Sequence, residues 1–284
     1  MHRFHLAPND WPSATLTGSE AHHARSVLRL QPGDRVVLFD GCGREATAEI
    51  AALEATAVLV RILHEAVSPP LRARITLAQA IPKGKNMDLI VQKAVEIGAA
   101  EIFPLLSARS VVQLDPESAA QKQAKWQTTA LEAAKQCGQN WLPHVHTPRT
   151  PNDFFREIAS GVSLAGGEAG VSPANPQRVA SSDQPPPRLA RPSLPFDLRL
   201  VGSLQPGALH LKRILADYAQ AHEGARPANV LMLIGPEGDF TPAEIGLARS
   251  HGCAPLTLGP IILRVETAAI YCLSILSYEL LSER

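Results

Sequence analysis

From Arg72 onward, short apolar runs alternate with segments of helical periodicity. The runs are ITLAQA (75–80), IFPLL (102–106), LPHVH (142–146), LRLVG (198–202), VLMLI (230–234) and PLTL (255–258). Helical patterns fill 86–97, 116–137, 151–159, 206–221, 242–251 and 267–281. Strands that pair in parallel need a crossover between them, usually a helix. The alternation therefore predicts an α/β domain: a mostly parallel sheet covered by helices on both faces. Asn86 is expected to cap the first helix and Gly98 to end it. Thr241 with Glu244 three residues on forms a capping box at the start of 242–251.

The preceding residues read differently. VVLFDGCGREATAEI (36–50) gives a strand, a turn at Asp40-Gly41-Cys42-Gly43 and a returning strand with Ala46, Ala48 and Ile50 facing inward. AVLVRIL (57–63) adds another strand. Ser19 and EAHHARSVLRL (20–30) read as one capped helix closed by Pro32-Gly33, which sets Arg25 and Arg29 four apart on one face. Ser68-Pro69-Pro70 marks a linker, so 1–70 forms a small β-rich domain and 72–284 the α/β domain. Residues 161–197 are dense in Pro, Gly and Ser and read as a flexible surface insertion.

Composition excludes several classes. Hydrophobic content of 45% and charged content of 19% over 284 residues are ordinary for a soluble globular chain. Lys+Arg and Asp+Glu balance at 27 each, so any RNA contact must come from a local patch. Cys42, Cys137, Cys253 and Cys272 are scattered without a C-x-x-C pair, which argues against a zinc site and fits a reducing, cytoplasmic setting. The N-terminus lacks a secretory apolar region and no run is long enough to span a bilayer.

Two glycine-bearing stretches stand where open α/β sheets bind ligands, at the C-terminal ends of strands. One is Gly235-Pro236-Glu237-Gly238; the other is LTLGPIILRVETAAI (256–270). Both also suit plain strand-to-helix connections. Pro236 removes one N–H from any phosphate cradle, which favours an uncharged or zwitterionic ligand held by backbone groups and apolar walls. Lys83-Gly84-Lys85 falls at the same edge, where its lysines suit phosphates as point charges or form a solvated loop. His144 and His146 share a strand face but lack a third convergent metal ligand.

Several ordered blocks together carry a resemblance. They are GSEAHHARSVLRLQPGD, LFDGCG, PKGKNMDLIVQKAVEIGAAEIFPLLSARS (82–110), WQTTALEAAKQCGQNWLP (126–143), IGPEGDF (234–240) and LGPIILRVETA (258–268). Over nearly the whole chain except 161–197, the sequence resembles the ribosomal RNA small-subunit methyltransferase E family of SPOUT-class enzymes. The resemblance implies an N-terminal PUA-like barrel for RNA, a knotted C-terminal α/β domain and a homodimer. It also implies S-adenosylmethionine as donor and N3 of a uridine in 16S ribosomal RNA of the small subunit as acceptor. By that resemblance, Val201 and Gly202, the loop of Ile234, Gly235, Pro236, Glu237 and Gly238, and Leu258, Gly259, Ile262 and Leu263 wrap the cofactor. Arg264, Glu266 and Thr267 close the pocket.

Within that expectation Arg264, always charged, stabilises negative charge on a uracil carbonyl. Glu266 accepts the N3 proton or serves as a helix-start acid. Lys83, Lys85, Arg25 and Arg29 are the candidates for RNA phosphates. The chain departs from the family's pattern at Asp239 (a second glycine is common), Ile261 and Gln139 (arginine is usual) and Ala108 (an acid is frequent). Asp239 either tightens its loop or adds a charge near the donor. The missing arginines predict weaker RNA contact or poorer handling of uridine. Two rival readings follow: a related methyltransferase acting elsewhere on RNA, and a ribosome-associated RNA-binding protein that has lost catalysis.

Overall fold

Strand alternation builds the first sheet. In β4 (Arg44–Leu53), Ala46, Ala48 and Ile50 are each no more than 1% exposed, and they face one core with Phe4, Leu38 and Val58. The structure, a computed structural model, describes residues 1–110, 114–160 and 196–282. Chain order in this part is β1 (His2–His5), β2 (Thr15–Leu16), α1 (Gly18–His22), β3 (Arg35–Phe39), β4 and β5 (Val58–Val67). The sheet runs β1-β3-β4-β5-β2, with β1 parallel to β3 and the other pairings antiparallel. Asp40 closes the β3–β4 turn, its Oδ1 accepting from the Cys42 and Arg44 N–H groups at 2.7 and 3.0 Å.

The helix expected over 19–30 is shorter than its pattern. α1 gives way to a π-type turn at His23–Val27, and Arg29 lies beyond it with φ +53°. Arg25 and Arg29 therefore do not share a helical face. The edge strands β1 and β2 escaped the sequence reading, being too short to show an alternation.

The second sheet is built from β6 (Arg74–Ala80), α2 (Asn86–Ile97), β7 (Ala99–Leu105), α3 (Pro116–Cys137), β8 (His144–Val145), α4 (Pro151–Ser160), β9 (Leu198–Gly202), β10 (Leu209–His210), α5 (Leu211–Ala221), β11 (Asn229–Ile234), α6 (Pro242–Ser250), β12 (Ala254–Thr257) and α7 (Val265–Leu281). Its order is β10-β12-β9-β11-β6-β7-β8, parallel throughout the paired strands. Ile75, Leu77, Leu200 and Met232 pack on one face with α2, α3 and α7. Ala78, Phe103, Val201, Leu231 and Leu233 pack on the other with Phe154 and Phe155 of α4 and Ile245 and Ala248 of α6. Apolar burial on both faces is why these strands read as continuous runs.

Most sequence expectations hold here, with local corrections. The Thr241–Glu244 capping box makes both of its bonds. Asn86, expected as the N-cap of α2, is its first residue, and Lys85 stands at the cap. Residues 206–210 are not helical: β10 occupies Leu209–His210 and α5 starts only at Leu211. β8 keeps two residues of the expected 142–146, and α7 starts at Val265 rather than 267. Asp197, assigned to the insertion, stands just before β9 and is bonded to the start of β11, its Oδ2 accepting from the N–H groups of Ala228 and Asn229 at 2.8 Å each. Residues 161–195 lie outside the described residues.

The two sheets meet at the end of α3. Lys135, 8% exposed, donates to Glu20 of α1 at 2.9 Å and to Glu132 at 3.0 Å. Burial disfavours its charge, but the two carboxylates outweigh that and hold its pKa above the ordinary value. Asn140 accepts from Arg3 at 2.6 Å and donates to Ser68 at 3.0 Å, while Trp141 Nε1 donates to the Ser68 carbonyl at 3.0 Å. A Cβ on Gly43, where φ is +99°, would fall 2.6 Å from the Trp141 ring and 2.9 Å from the Ser68 carbonyl.

Candidate active site

Because the strands of the second sheet are parallel, the loops that leave them gather along one edge. The loop after β11 is tied to its neighbours. Glu237 Oε1 accepts the backbone N–H of Lys83, in the loop after β6, at 2.8 Å. The Arg109 guanidinium, after β7, donates to the Gly238 carbonyl. Asp239 Oδ2 accepts the backbone N–H of Leu204, after β9, at 3.1 Å. Glu244 extends the lacing, its Oε1 accepting from Ala108 N–H at 2.8 Å. Within the loop, Asp239 N–H reaches the Pro236 carbonyl at 2.9 Å.

The loop after β12 is open by contrast. Gly259 sits at φ +113° with empty space where a Cβ would go. Ile261 and Ile262 are 74% and 75% exposed, while Leu258 and Leu263 are half-buried. Among the described residues, the backbone of 260–263 has no hydrogen-bond partner. Only β9 separates β12 from β11, so with a strand spacing of about 4.8 Å the two loops stand ~10 Å apart across the end of β9. Val201 and Gly202 form the floor between them. A zwitterionic ligand with an apolar ring system suits this setting: backbone polar groups on one wall, Leu258 and Leu263 on the other.

Side chains sort by what they can reach. Val201 and Ile234 are 0% and 3% exposed with their side chains in the packed core, so only their backbone is available to a ligand. Pro236 is buried, whereas Glu237 and Gly238 are exposed. Arg264 is the N-cap residue of α7, exposed, and its guanidinium has no partner among the described residues. The positive end of a helix disfavours a cation by about 0.3–1 kcal/mol, so an unpaired arginine here is poised for an anion. Glu266, in the first turn of α7, accepts from Asn86 Nδ2 at 3.2 Å through Oε2. Thr267 is exposed beside it.

The basic candidates do not form one cluster by side-chain contact. Lys83 and Lys85 are exposed on the loop after β6. Arg25 donates to the Ala55 carbonyl on the first sheet's side, and Arg29 is exposed past the π-type turn. His144 and His146 do point to one side, their rings 4.4 Å apart. His146 is buried, stacked 3.7 Å over Phe103, with Nε2 3.2 Å from Glu101. Among the described residues, no group of three His, Cys, Asp or Glu is placed to hold a metal ion. Sequence reasoning missed the struts from Arg109 and Asn86, because a loop-to-loop bond leaves no periodic trace. The unusual Asp239 was the one visible signal.

Comparison with known proteins agrees with this geometry. Residues 69–183 and 197–277 match the RNA methyltransferase domain, and residues 16–63 match the RNA methyltransferase PUA domain. A protein of Synechocystis sp. named ribosomal RNA small subunit methyltransferase E is 30% identical over 263 residues, covering 92% of this chain and 72% of that one. The chain belongs to the ribosomal RNA small subunit methyltransferase E family. The Bacillus subtilis member is 28% identical over 275 residues, covering 94% of this chain and 91% of its own. Among solved structures, the Neisseria gonorrhoeae member of the family, bound to S-adenosyl methionine, superposes with a TM-score of 0.74 at 27% identity, covering 98% of each chain. A Legionella pneumophila protein solved with bound cofactor SAM gives a TM-score of 0.76 at 30% identity, again covering 98% of each. The two-part architecture is thus the family's: a PUA-like domain joined to an α/β methyltransferase domain.

Proposed function

We propose that the chain transfers a methyl group from S-adenosylmethionine to N3 of a uridine in 16S ribosomal RNA. One observation carries this reading: the loops 234–238 and 258–264 flank the end of β9, with the exposed Arg264, which has no partner among the described residues, at the head of α7. When bound, S-adenosylmethionine supplies a methyl carbon on a positively charged sulfur. Backbone groups of 234–238 and 258–263 hold the donor, and the half-buried Leu258 and Leu263 cover its apolar parts. N3 of uridine carries a proton, so methylation there needs a proton acceptor and stabilisation of the anion. The Arg264 guanidinium donates to the uracil carbonyl oxygen on which negative charge gathers. Oε1 of Glu266, the oxygen not bonded to Asn86, receives the N3 proton.

Lys83 and Lys85 bind RNA phosphates beside the cleft, and Arg25 and Arg29 do so from the PUA-like domain. A second copy of the chain packs on α7, where Tyr271 and Tyr278 are 47% and 72% exposed. The same reading includes the family's chain knot and action in the cytoplasm. No helix among the described residues is long and apolar enough to cross a membrane.

The test is a donor-dependent methylation assay on small-subunit particles with the product nucleoside identified. N3-methyluridine is the expected product, and any other methylated nucleoside or none overturns the assignment. Arg264→Ala should lower turnover by about a thousandfold, the scale of losing an oxyanion donor, while calorimetry finds donor affinity preserved. Unchanged turnover excludes the role given to Arg264.

A further inference from the structure

Asp239 is one of the four positions where the chain leaves the pattern expected of its family, and it adopts a left-handed backbone at φ +61°, a region that side chains other than Asn and Asp enter at a cost. Its two carboxylate oxygens are directed at different backbone groups. Oδ1 accepts the N–H of Phe240 at 2.7 Å, and Oδ2 accepts the N–H of Leu204 at 3.1 Å. Phe240 is 3% exposed and anchored in the core beneath α4 and α6, whereas Leu204 is 63% exposed in the loop after β9. One carboxylate therefore joins an exposed edge residue to a buried one. Gly235 makes the arrangement possible: a Cβ there would lie 3.3 Å from Asp239 Oδ1 and 3.1 Å from Phe240 N. The side chain folds back over the start of its own loop and reaches across the end of β9.

We propose that Asp239 is a positioning residue: it clamps the loop after β9 (203–208) to the loop after β11, and thereby sets donor affinity through the shape of the cleft floor. This inference rests on the donor binding between 234–238 and 258–264. Both carboxylate oxygens accept backbone N–H groups, an arrangement that the alternative role, a charge presented to the donor's sulfonium, does not require. Carboxylate–amide bonds are charge-assisted and stronger than neutral ones. The clamp also brings Leu204 N–H to a fixed position next to Ser203, whose own N–H is held by the Leu256 carbonyl at 3.0 Å. Strand β12 and the loops after β9 and β11 are in this way laced together at the same edge of the sheet.

The experiment compares the full-length chain with Asp239→Gly and Asp239→Asn. Glycine keeps the left-handed turn without strain and removes both bonds; asparagine tolerates the turn and keeps one acceptor oxygen without the charge. Calorimetry with S-adenosylmethionine should show about tenfold weaker binding for Asp239→Gly, the size of one to two lost hydrogen bonds. Asp239→Asn should fall between that variant and the parent. In methylation assays the loss should appear in KM for the donor, with kcat at saturating donor kept within about threefold. Amide exchange at Leu204 should quicken in Asp239→Gly without donor present. Equal donor affinity in parent and Asp239→Gly overturns the clamp, as does a loss confined to kcat. An Asn variant that binds the donor as tightly as the parent shows that the second acceptor oxygen is not needed and also overturns it. If the parent itself binds no donor, the proposed function fails instead, and that outcome is distinct from the others.

Discussion

Two places in this molecule depend on glycine for opposite reasons. At the junction between the sheets, Gly43 is glycine because the Trp141 ring and the Ser68 carbonyl occupy the space of a side chain. At the rim of the second sheet, Gly259 has nothing near it at all. The junction is closed: Lys135 is buried between Glu20 and Glu132, and Asn140 bridges Arg3 and Ser68. The rim is open, with exposed Ile261 and Ile262 and a backbone over 260–263 that has no partner among the described residues. Lys135 and Asn140 find their partners inside the chain, whereas the backbone of 260–263, proposed to serve a ligand, finds none among the described residues.

The sharpest way to break that contrast is to add one carbon at each glycine. Gly43→Ala combines a left-handed backbone with two close contacts and should destabilise the protein by about 3 kcal/mol or more, read from the denaturant midpoint. Gly259→Ala meets only the backbone penalty, about 1–2 kcal/mol, and its main effect should fall on donor affinity. Equal stability losses at the two sites would erase the distinction. Next in size is Lys135→Met, which leaves Glu20 without its cation and should cost about 2–3 kcal/mol, less than a fully buried pair because Glu132 is exposed. The stability from the Lys135 pairs has a definite sign in pH. Its folded pKa is raised, so the contribution is complete below the unfolded value near 10.5 and fades as pH rises through the folded value. Unfolding midpoints of parent and Lys135→Met should therefore converge above that pH.

A milder test concerns the rim alone. Lys83→Glu with Lys85→Glu should leave thermal stability within about 0.5 kcal/mol, since both side chains are exposed. RNA affinity should weaken, and the slope of log affinity against log salt should flatten by about two. The smallest effect separates buried from exposed thiols. Burial pushes Cys253 and Cys272 up to about 12, while Cys42 and Cys137 are exposed. At pH 8 a thiol reagent should modify the second pair quickly and the first only on unfolding. Raised thiol pKa values also mean that stability declines as pH climbs from 9 toward 12.

Legibility followed the same division. Runs such as VLMLI declare themselves because a strand buried on both faces must be apolar throughout, and Thr241–Glu244 declares itself because a cap is local. Arg25 and Arg29 misled because a helical pattern does not reveal where a π-type turn ends it. β10 stayed hidden, since two exposed residues carry no alternation. Asn86 looks like a cap in sequence, but its side chain reaches Glu266, 180 residues away.

What the chain's own order of residues decided is the two-part architecture, the edge at which a ligand would sit and the glycine-bounded turns there. Those follow from periodicity and backbone chemistry, which act over a few residues. Only the tertiary fold decided that β9 lies between β12 and β11, that Glu237, Arg109 and Asp239 spend their polar groups on neighbouring loops, and that Arg264 has no charge partner among the described residues. Strand order and loop-to-loop bonds join positions far apart along the chain, and nothing in a local window records which of them will meet.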